Sequence, residues 1–395
     1  MRDVIIVGGG PAGCFTGERL AEKGFRVTIV EEHGEIGQPM CCAGIIGAER
    51  FKETGIDPEK WSVNELKEGV FHSPPDKSTS LTRNETEAYV IDRSNFDRCL
   101  AERAARAGAD IRLGSRCIGA SRSGDRVSIK VKNREKEETL DSRVVIGADG
   151  ANSIIARRFD LINDFSPIIG AQAEIVGSPT NSAAHVFLGN DLSKNFFAWV
   201  VPAGEVYRVG LGDKKTNVRK KLLEFIKNSP ILPENSRARI VNFTTGLIPK
   251  AGGRKVYGDR VLLVGDAAGH VKPLTGGGLY LGLSCAGIAG DVLAESLADE
   301  PCGENLQEYE KLVVEKFGQE FELGERALRI FQNMADEDIS EFFEFLEEPR
   351  IKDMVLENAA FDRHSELLKM LIKEGPELFR KFGFRRLLKY LTWLR

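Results

Sequence analysis

The sequence predicts a mixed α/β fold in which a nucleotide-binding domain is interleaved with an antiparallel-sheet domain and followed by a helical region. Three observations carry that prediction. Glycine-centred turns follow short apolar strands at three points: VIIVGGGPAG at 4–13, VVIGADGANSIIAR at 144–157 and DRVLLVGDAAGHVKPLTGGG at 259–278. Between the last two, the chain turns to β-rich stretches at 170–176, 185–188, 197–201 and 207–211, the pattern of an antiparallel sheet. After Pro301, apolar residues recur three and four apart with Glu and Lys on the other faces, as in amphipathic helices. The expected units are a discontinuous nucleotide-binding domain at 1–165 and 251–300, a substrate domain at 166–250 and a helical region at 301–395.

The first turn has the order of a Rossmann-like βαβ unit. Val4, Ile5, Ile6 and Val7 form a β-branched strand, and a helical stretch follows from Ala12 to Lys23. Gly8 permits the tight turn, Gly10 lets backbone approach a pyrophosphate, and Gly13 lets helix and strand pack closely. The next strand, 26–30, ends at Glu31, at the spacing of an acid that accepts ribose hydroxyls. This signal by itself does not separate NAD from FAD.

The third turn separates them. It resembles the loop of FAD enzymes of the aromatic-hydroxylase type, a resemblance that implies Asp266 on the ribityl chain and the helix N-terminus at Gly277, Gly278 and Leu279 facing the flavin. A helix dipole placed there stabilises the negative charge of a reduced flavin. The middle turn, with Asp149 and Gly150 at its core, is the matching signature of the same enzymes. FAD is the expected cofactor.

Composition sets the remaining bounds. A chain of 395 residues, 42% hydrophobic and 29% charged, is long enough for two or three packed units. Its net charge of −4 argues against a nucleic-acid surface. The sequence opens on a strand without a basic and apolar leader, which makes the cytoplasm the expected compartment. Seven scattered cysteines read as reduced thiols. The uncharged run from Leu274 to Gly290 is dense in glycine and reads as a buried helix packed on the cofactor rather than a membrane span.

Three further segments narrow the resemblance: EIGQPMCCAGI at 35–45, YVIDRSNFDRCLA at 89–101 and FAWVVP at 197–202. They are similar to the archaeal and plant geranylgeranyl reductases, flavoenzymes that saturate isoprenoid double bonds, over essentially residues 1–330. The resemblance implies that Cys42, Ala43 and Gly44 lie near the flavin ring, that Ala12 and Arg93 bind FAD from the starts of their helices, and that Cys117 meets the adenine end through its backbone. It also implies a substrate-sheet signature at Phe197, Trp199, Val201 and Pro202, in which Phe197 and Val201 replace the family's Tyr and Phe.

Reducing an unactivated alkene with a flavin needs a hydride on one carbon and a proton on the other, in a site closed to water. Cys42 is the catalytic candidate by resemblance: its thiol donates the proton, positions the ring or gates the pocket, or else packs against the flavin. Cys41 beside it leaves two alternatives open, a strained vicinal disulfide or half of a metal site that has no visible second half. Arg93 has the competing reading of a salt bridge with Asp92 or Asp97. Phe187, Phe196, Phe197 and Trp199 read either as channel lining or as sheet core. His270 reads as a loop residue bonded to backbone.

Near the carboxyl terminus, Phe379, Phe382, Phe384, Leu387, Leu388, Leu391, Trp393 and Leu394 alternate with Arg and Lys, a pattern shared by a membrane-surface helix and a docked terminal helix. The expected function is saturation of prenyl chains on archaeal-type ether lipids or their precursors, with peripheral membrane contact. An aromatic monooxygenase and an electron-transfer flavoprotein share the fold and remain as alternatives. No second nucleotide-binding fold is visible, so the reductant is external, NAD(P)H or a ferredoxin-like protein.

Overall fold

The computed structural model describes residues 2–382 apart from Pro75, Glu135, Asn163, Thr180, Asn181, Lys215, Thr216 and Gly253, with side chains described as far as Lys373. Its centre is a parallel sheet. Strand Arg2–Val7 lies between Lys136–Gly147 and Val27–Val30, with Val4 opposite both Val144 and Val27. Val261–Leu263 extends it on one side and Asp110–Arg112 on the other. These strands read as nearly continuous Val, Ile and Leu because both faces are covered, and Val4, Ile5, Ile6, Val144, Val145 and Ile146 are wholly buried. All three glycine turns therefore leave the same edge of one sheet.

Helix Pro11–Glu22 packs on Leu279–Ala298 and on Arg93–Ala107. Leu279–Ala298 is long and apolar enough to cross a bilayer, yet 78% of its apolar window is buried in the protein, as expected of a core helix. The helix 93–107 opens on Asp92, whose Oδ1 accepts from the Asn95 amide at 3.1 Å, and closes on Gly108 with φ 109°. A long hairpin pairs Arg126–Asn133 with Lys136–Gly147, Ile129 standing opposite Leu140.

The second sheet has seven strands, in the order Ile240–Ile248, Ile168–Val176, Val206–Asp213, Ser193–Ala203, Ala183–Gly189, Glu68–Ser73 and Lys77–Thr82. It differs from the expected 166–250 unit in two ways. Two of its strands come from the first segment, and 183–189 pairs with 68–73 in parallel. Alternation divides its faces: Ala171, Ala173 and Ile175 pack with helix Val218–Asn228 in one core, while Gln172 and Glu174 point to the other face.

Helices Gly303–Asn333, Asp336–Leu346, Pro349–Asn358 and Ser365–Phe382 complete the described chain, as the 3.6-residue pattern predicts. Between the last two, residues 359–364 run as a strap back to the third glycine turn, pinned by Lys272 Nζ donating to the Phe361 carbonyl at 2.8 Å. The basic amphipathic stretch expected near the carboxyl terminus lies outside the residues whose side chains are described.

Candidate functional site

At the first turn the chain crosses under the second motif. Gly8 has φ 109°, and a Cβ there would overlap the Ala148 carbonyl, so no other residue fits the crossing. Gly10 is the N-cap of helix 11–22 and supplies no side chain to the helix end, while an added Cβ on it meets nothing within 4 Å. The first turn of the helix thus opens without a side-chain cap beside the free space at Gly10, with the positive end of the helix behind it, a site for a phosphate. Glu31 stands beside it. Its Oε1 is occupied by His33, through the amide at 2.9 Å and ring Nδ1 at 2.6 Å, while its Oε2 accepts from the Gly9 amide at 2.7 Å and retains capacity for a hydroxyl donor.

The third turn carries a charge with nothing to satisfy it. Asp266 is partly buried, and desolvation pushes its carboxyl up to about 6 even though Arg93 and Arg254 pull the other way. Among the described residues no hydrogen bond reaches that carboxylate. Beyond it, the Lys272 amide donates to the Gly277 carbonyl at 2.9 Å, and Gly278 begins helix 279–298 without a side-chain cap. A partly buried carboxylate without a donor, between two uncapped helix ends, fits a dinucleotide that brings both phosphate and hydroxyls.

Asp149 does a different job. Its oxygens accept from Ser153 Oγ at 2.6 Å and from the Ile154 and Ile155 amides at 2.6 and 3.2 Å, so the carboxylate is spent building its own turn. Cys117 is buried in strand Arg116–Ser123 with Sγ toward the Gly119 carbonyl, and burial pushes it up to about 11.

The segment 42–44 lies between the seven-stranded sheet and the start of helix 93–107. The Gly44 amide donates to Cys42 Sγ at 3.3 Å, which folds the turn around the thiol. Two carbonyls of this turn are held from the seven-stranded sheet: Gln172 Nε2 donates to the Cys42 oxygen and Arg208 Nη1 to the Ala43 oxygen, both at 3.0 Å. On its other side Cys42 faces Arg93. Burial alone would lower the Arg93 guanidinium, but Asp97 and Cys42 beside it overcome that and raise it. Arg93 holds Asp97 by two bonds of 3.0 and 2.9 Å in a largely buried pair, so the salt-bridge reading is met at Asp97, and Asp92 serves instead as the helix cap.

The aromatic signature shares this face. Trp199 Nε1 donates to Gln172 Oε1 at 3.2 Å, and Phe197 meets the Trp199 ring edge-on at 5.9 Å. Pro202 sits further along the strand, its carbonyl accepting from Asn64 at 3.3 Å. Phe187 belongs to the opposite face, packed with Phe225 of helix 218–228, so it is sheet core and not channel lining. All seven cysteines are free, and Cys41 is exposed, its Sγ lying against Gly246 of the sheet. His270 corrects its expectation: both ring nitrogens are buried without a partner, and burial alone takes the ring down to about 3.

Sequence reasoning missed Gln172, Arg208 and Arg254. Gln172 and Arg208 are buried polar residues on strands otherwise small or apolar, and that contrast was the available signal. Arg254 is buried and donates to the Asp266 carbonyl at 3.4 Å and to the Ala151 and Ala267 carbonyls, tying the second and third turns together.

Residues 1–315 match the family model of the FAD binding domain. The chain is 35% identical over 356 residues to the digeranylgeranylglycerophospholipid reductase of Methanocaldococcus jannaschii, covering 88% of this chain and 90% of that one. It is 31% identical over 393 residues to digeranylgeranylglycerophospholipid reductase 2 of Methanopyrus kandleri, covering 96% and 98%. Its fold is that of a geranylgeranyl bacteriochlorophyll reductase-like protein from Thermoplasma acidophilum, with a TM-score of 0.83 at 24% identity over 97% of this chain and 98% of that one. The protein is accordingly an FAD-dependent oxidoreductase, and it belongs to the family of the digeranylgeranylglycerophospholipid reductases.

Proposed function

We propose that this protein saturates carbon–carbon double bonds of geranylgeranyl chains in the making of archaeal-type ether lipids. What carries the reading, beyond family membership, is the thiol of Cys42 set between the flavin-loop side and the Trp199 face of the seven-stranded sheet. Gly8 to Gly13, Glu31, Arg93, Asp266 and the helix start at 277–279 are the residues that would hold FAD. Reduced FAD, when bound, supplies the hydride for one alkene carbon. Cys42 supplies or relays the proton for the other, Phe197 and Trp199 hold the prenyl chain in place, and the surrounding apolar surface keeps water out. Two electrons per double bond come from NAD(P)H or a ferredoxin-like donor.

The test is anaerobic. Dithionite-reduced enzyme mixed with a digeranylgeranyl lipid should give product heavier by two mass units for each bond reduced. A product that forms only after oxygen is admitted, heavier by sixteen, would replace this reading with a monooxygenase. The same lipid places the enzyme at the inner face of the cytoplasmic membrane, with residues beyond about Gly375 as the contact. Deleting them should weaken binding to anionic vesicles while flavin content stays unchanged, and salt should weaken it too.

A further inference from the structure

Gln172 is buried on the face of its strand that also carries Glu174, opposite the face of Ala171, Ala173 and Ile175. Burying an amide costs free energy unless each end finds a partner. This one finds both, and neither lies on its own strand. Oε1 accepts from Trp199 Nε1 at 3.2 Å, and Nε2 donates to the Cys42 carbonyl at 3.0 Å. An indole nitrogen only donates and a carbonyl only accepts, so a single orientation of the amide satisfies both. Turned over, it would set donor against donor and acceptor against acceptor.

The neighbouring contact has the same direction. Arg208, held at Nε by Glu174 Oε1 at 3.3 Å, donates to the next carbonyl of the turn, that of Ala43. Residues 172 and 210 are cross-strand partners, as are 210 and 199, and 174 and 208. Consecutive rungs of one sheet therefore grip consecutive carbonyls of the segment that carries the thiol.

We infer that Gln172 is a positioning residue for Cys42, holding the thiol-bearing turn at a fixed offset from Trp199 and so from the prenyl chain. This rests on the proposed role of Cys42 and extends it. The sheet then does two things at once: its aromatic face receives the chain, and its buried amide sets where the proton-bearing group stands relative to that face.

Two variants and two readouts test it in the FAD-loaded enzyme. Gln172→Met removes both hydrogen bonds at nearly constant shape. Gln172→Glu keeps an acceptor for Trp199 and turns the Cys42 end from donor to acceptor. Alkene reduction with a digeranylgeranyl lipid gives kcat and KM. Alkylation by iodoacetamide in a Cys41→Ser background, followed by peptide mass at Cys42, reports on the thiol without requiring turnover. The expected result is full FAD content, an altered alkylation rate at Cys42, KM little changed, and kcat lower by up to about 100-fold, the cost of a misplaced group in a positioned site. Gln172→Glu should be at least as impaired as Gln172→Met. If Gln172→Met does not retain FAD, Gln172→Glu, which keeps length and the Trp199 bond, carries the test.

Alkylation that stays at the wild-type rate in FAD-loaded Gln172→Glu overturns the inference, whatever happens to kcat. Altered alkylation with unchanged kcat upholds the positioning and removes the proton role of Cys42. The two ideas therefore fail separately.

Discussion

Gly210 lies directly under the Trp199 indole: a Cβ at 210 would overlap the ring, and the two residues are partners across adjacent strands. The ring can lie flat across the sheet only because the rung next to it carries no side chain. Gly210→Ala should therefore lift Trp199 and break its bond to Gln172. We expect retained FAD, a loss of about 1–3 kcal/mol in unfolding free energy from overpacking, and a raised KM for the prenyl substrate. Wild-type KM in this variant would show that the ring's placement does not shape the substrate face.

The Asp266 carboxyl sits at about 6 before any hydroxyl reaches it, and burial is the cause. Ribityl hydroxyls donate to the ionised form, so FAD favours the deprotonated protein. By linkage the affinity is full above about 6 and falls as pH drops through that value, by up to about tenfold per pH unit. Ultrafiltration of the holoenzyme at a series of pH values, with free flavin read by fluorescence, should show release beginning near pH 6. Asp266→Asn should bind more weakly and lose that pH dependence.

Cys42→Ala should keep FAD yet lose alkene reduction by ~100- to 10,000-fold, the usual worth of a positioned general acid. Cys41→Ala should be milder, because Cys41 is exposed at the sheet and takes no part in the turn held by Gln172 and Arg208. Turnover of Cys42→Ala close to the wild-type rate would return Cys42 to a packing role.

His270 is buried beside Tyr309 and Phe321 with both nitrogens unpartnered. Its pKa falls from 6.5 to about 3 on folding, so the unfolded chain binds the extra proton. The stability it permits is present above 6.5 and is lost as pH falls from there toward 3. His270→Phe removes two unsatisfied polar atoms and should gain about 1–3 kcal/mol, with a melting temperature that drops less in acid. Part of the acid sensitivity should remain, because His364 is also lowered to about 3, by desolvation and by the charge of Lys272. Equal melting curves for the two proteins at pH 5 would remove His270 as a source of that sensitivity.

Local pattern accounts for what the sequence disclosed. Helix 93–107 is legible to the residue because an Asp cap, an apolar period and a terminal Gly all agree. The three glycine turns are legible because each joins a strand to a helix within a few residues. The parallel pairing of 68–73 with 183–189 left no such trace, since its partners are far apart in the chain and each strand alone fits many neighbours. Gln172, Glu174 and Arg208 were hidden for a related reason. A polar residue alternating with apolar ones on a strand reads as solvent-facing, and only the approach of the 42–44 turn makes that face an interior.

The ion pair between Lys272 and Asp362 spans 90 residues, and both side chains are buried, with an Nζ to Oδ1 distance of 3.3 Å. Synthesis runs from the amino terminus, so all three glycine turns emerge before Asp362 does. A nascent chain stopped short of the strap holds its flavin loop with a lysine that has neither counter-ion nor cover. The cofactor pocket is therefore finished last. Truncated translation products should remain colourless, and flavin supply during expression should matter most after release from the ribosome.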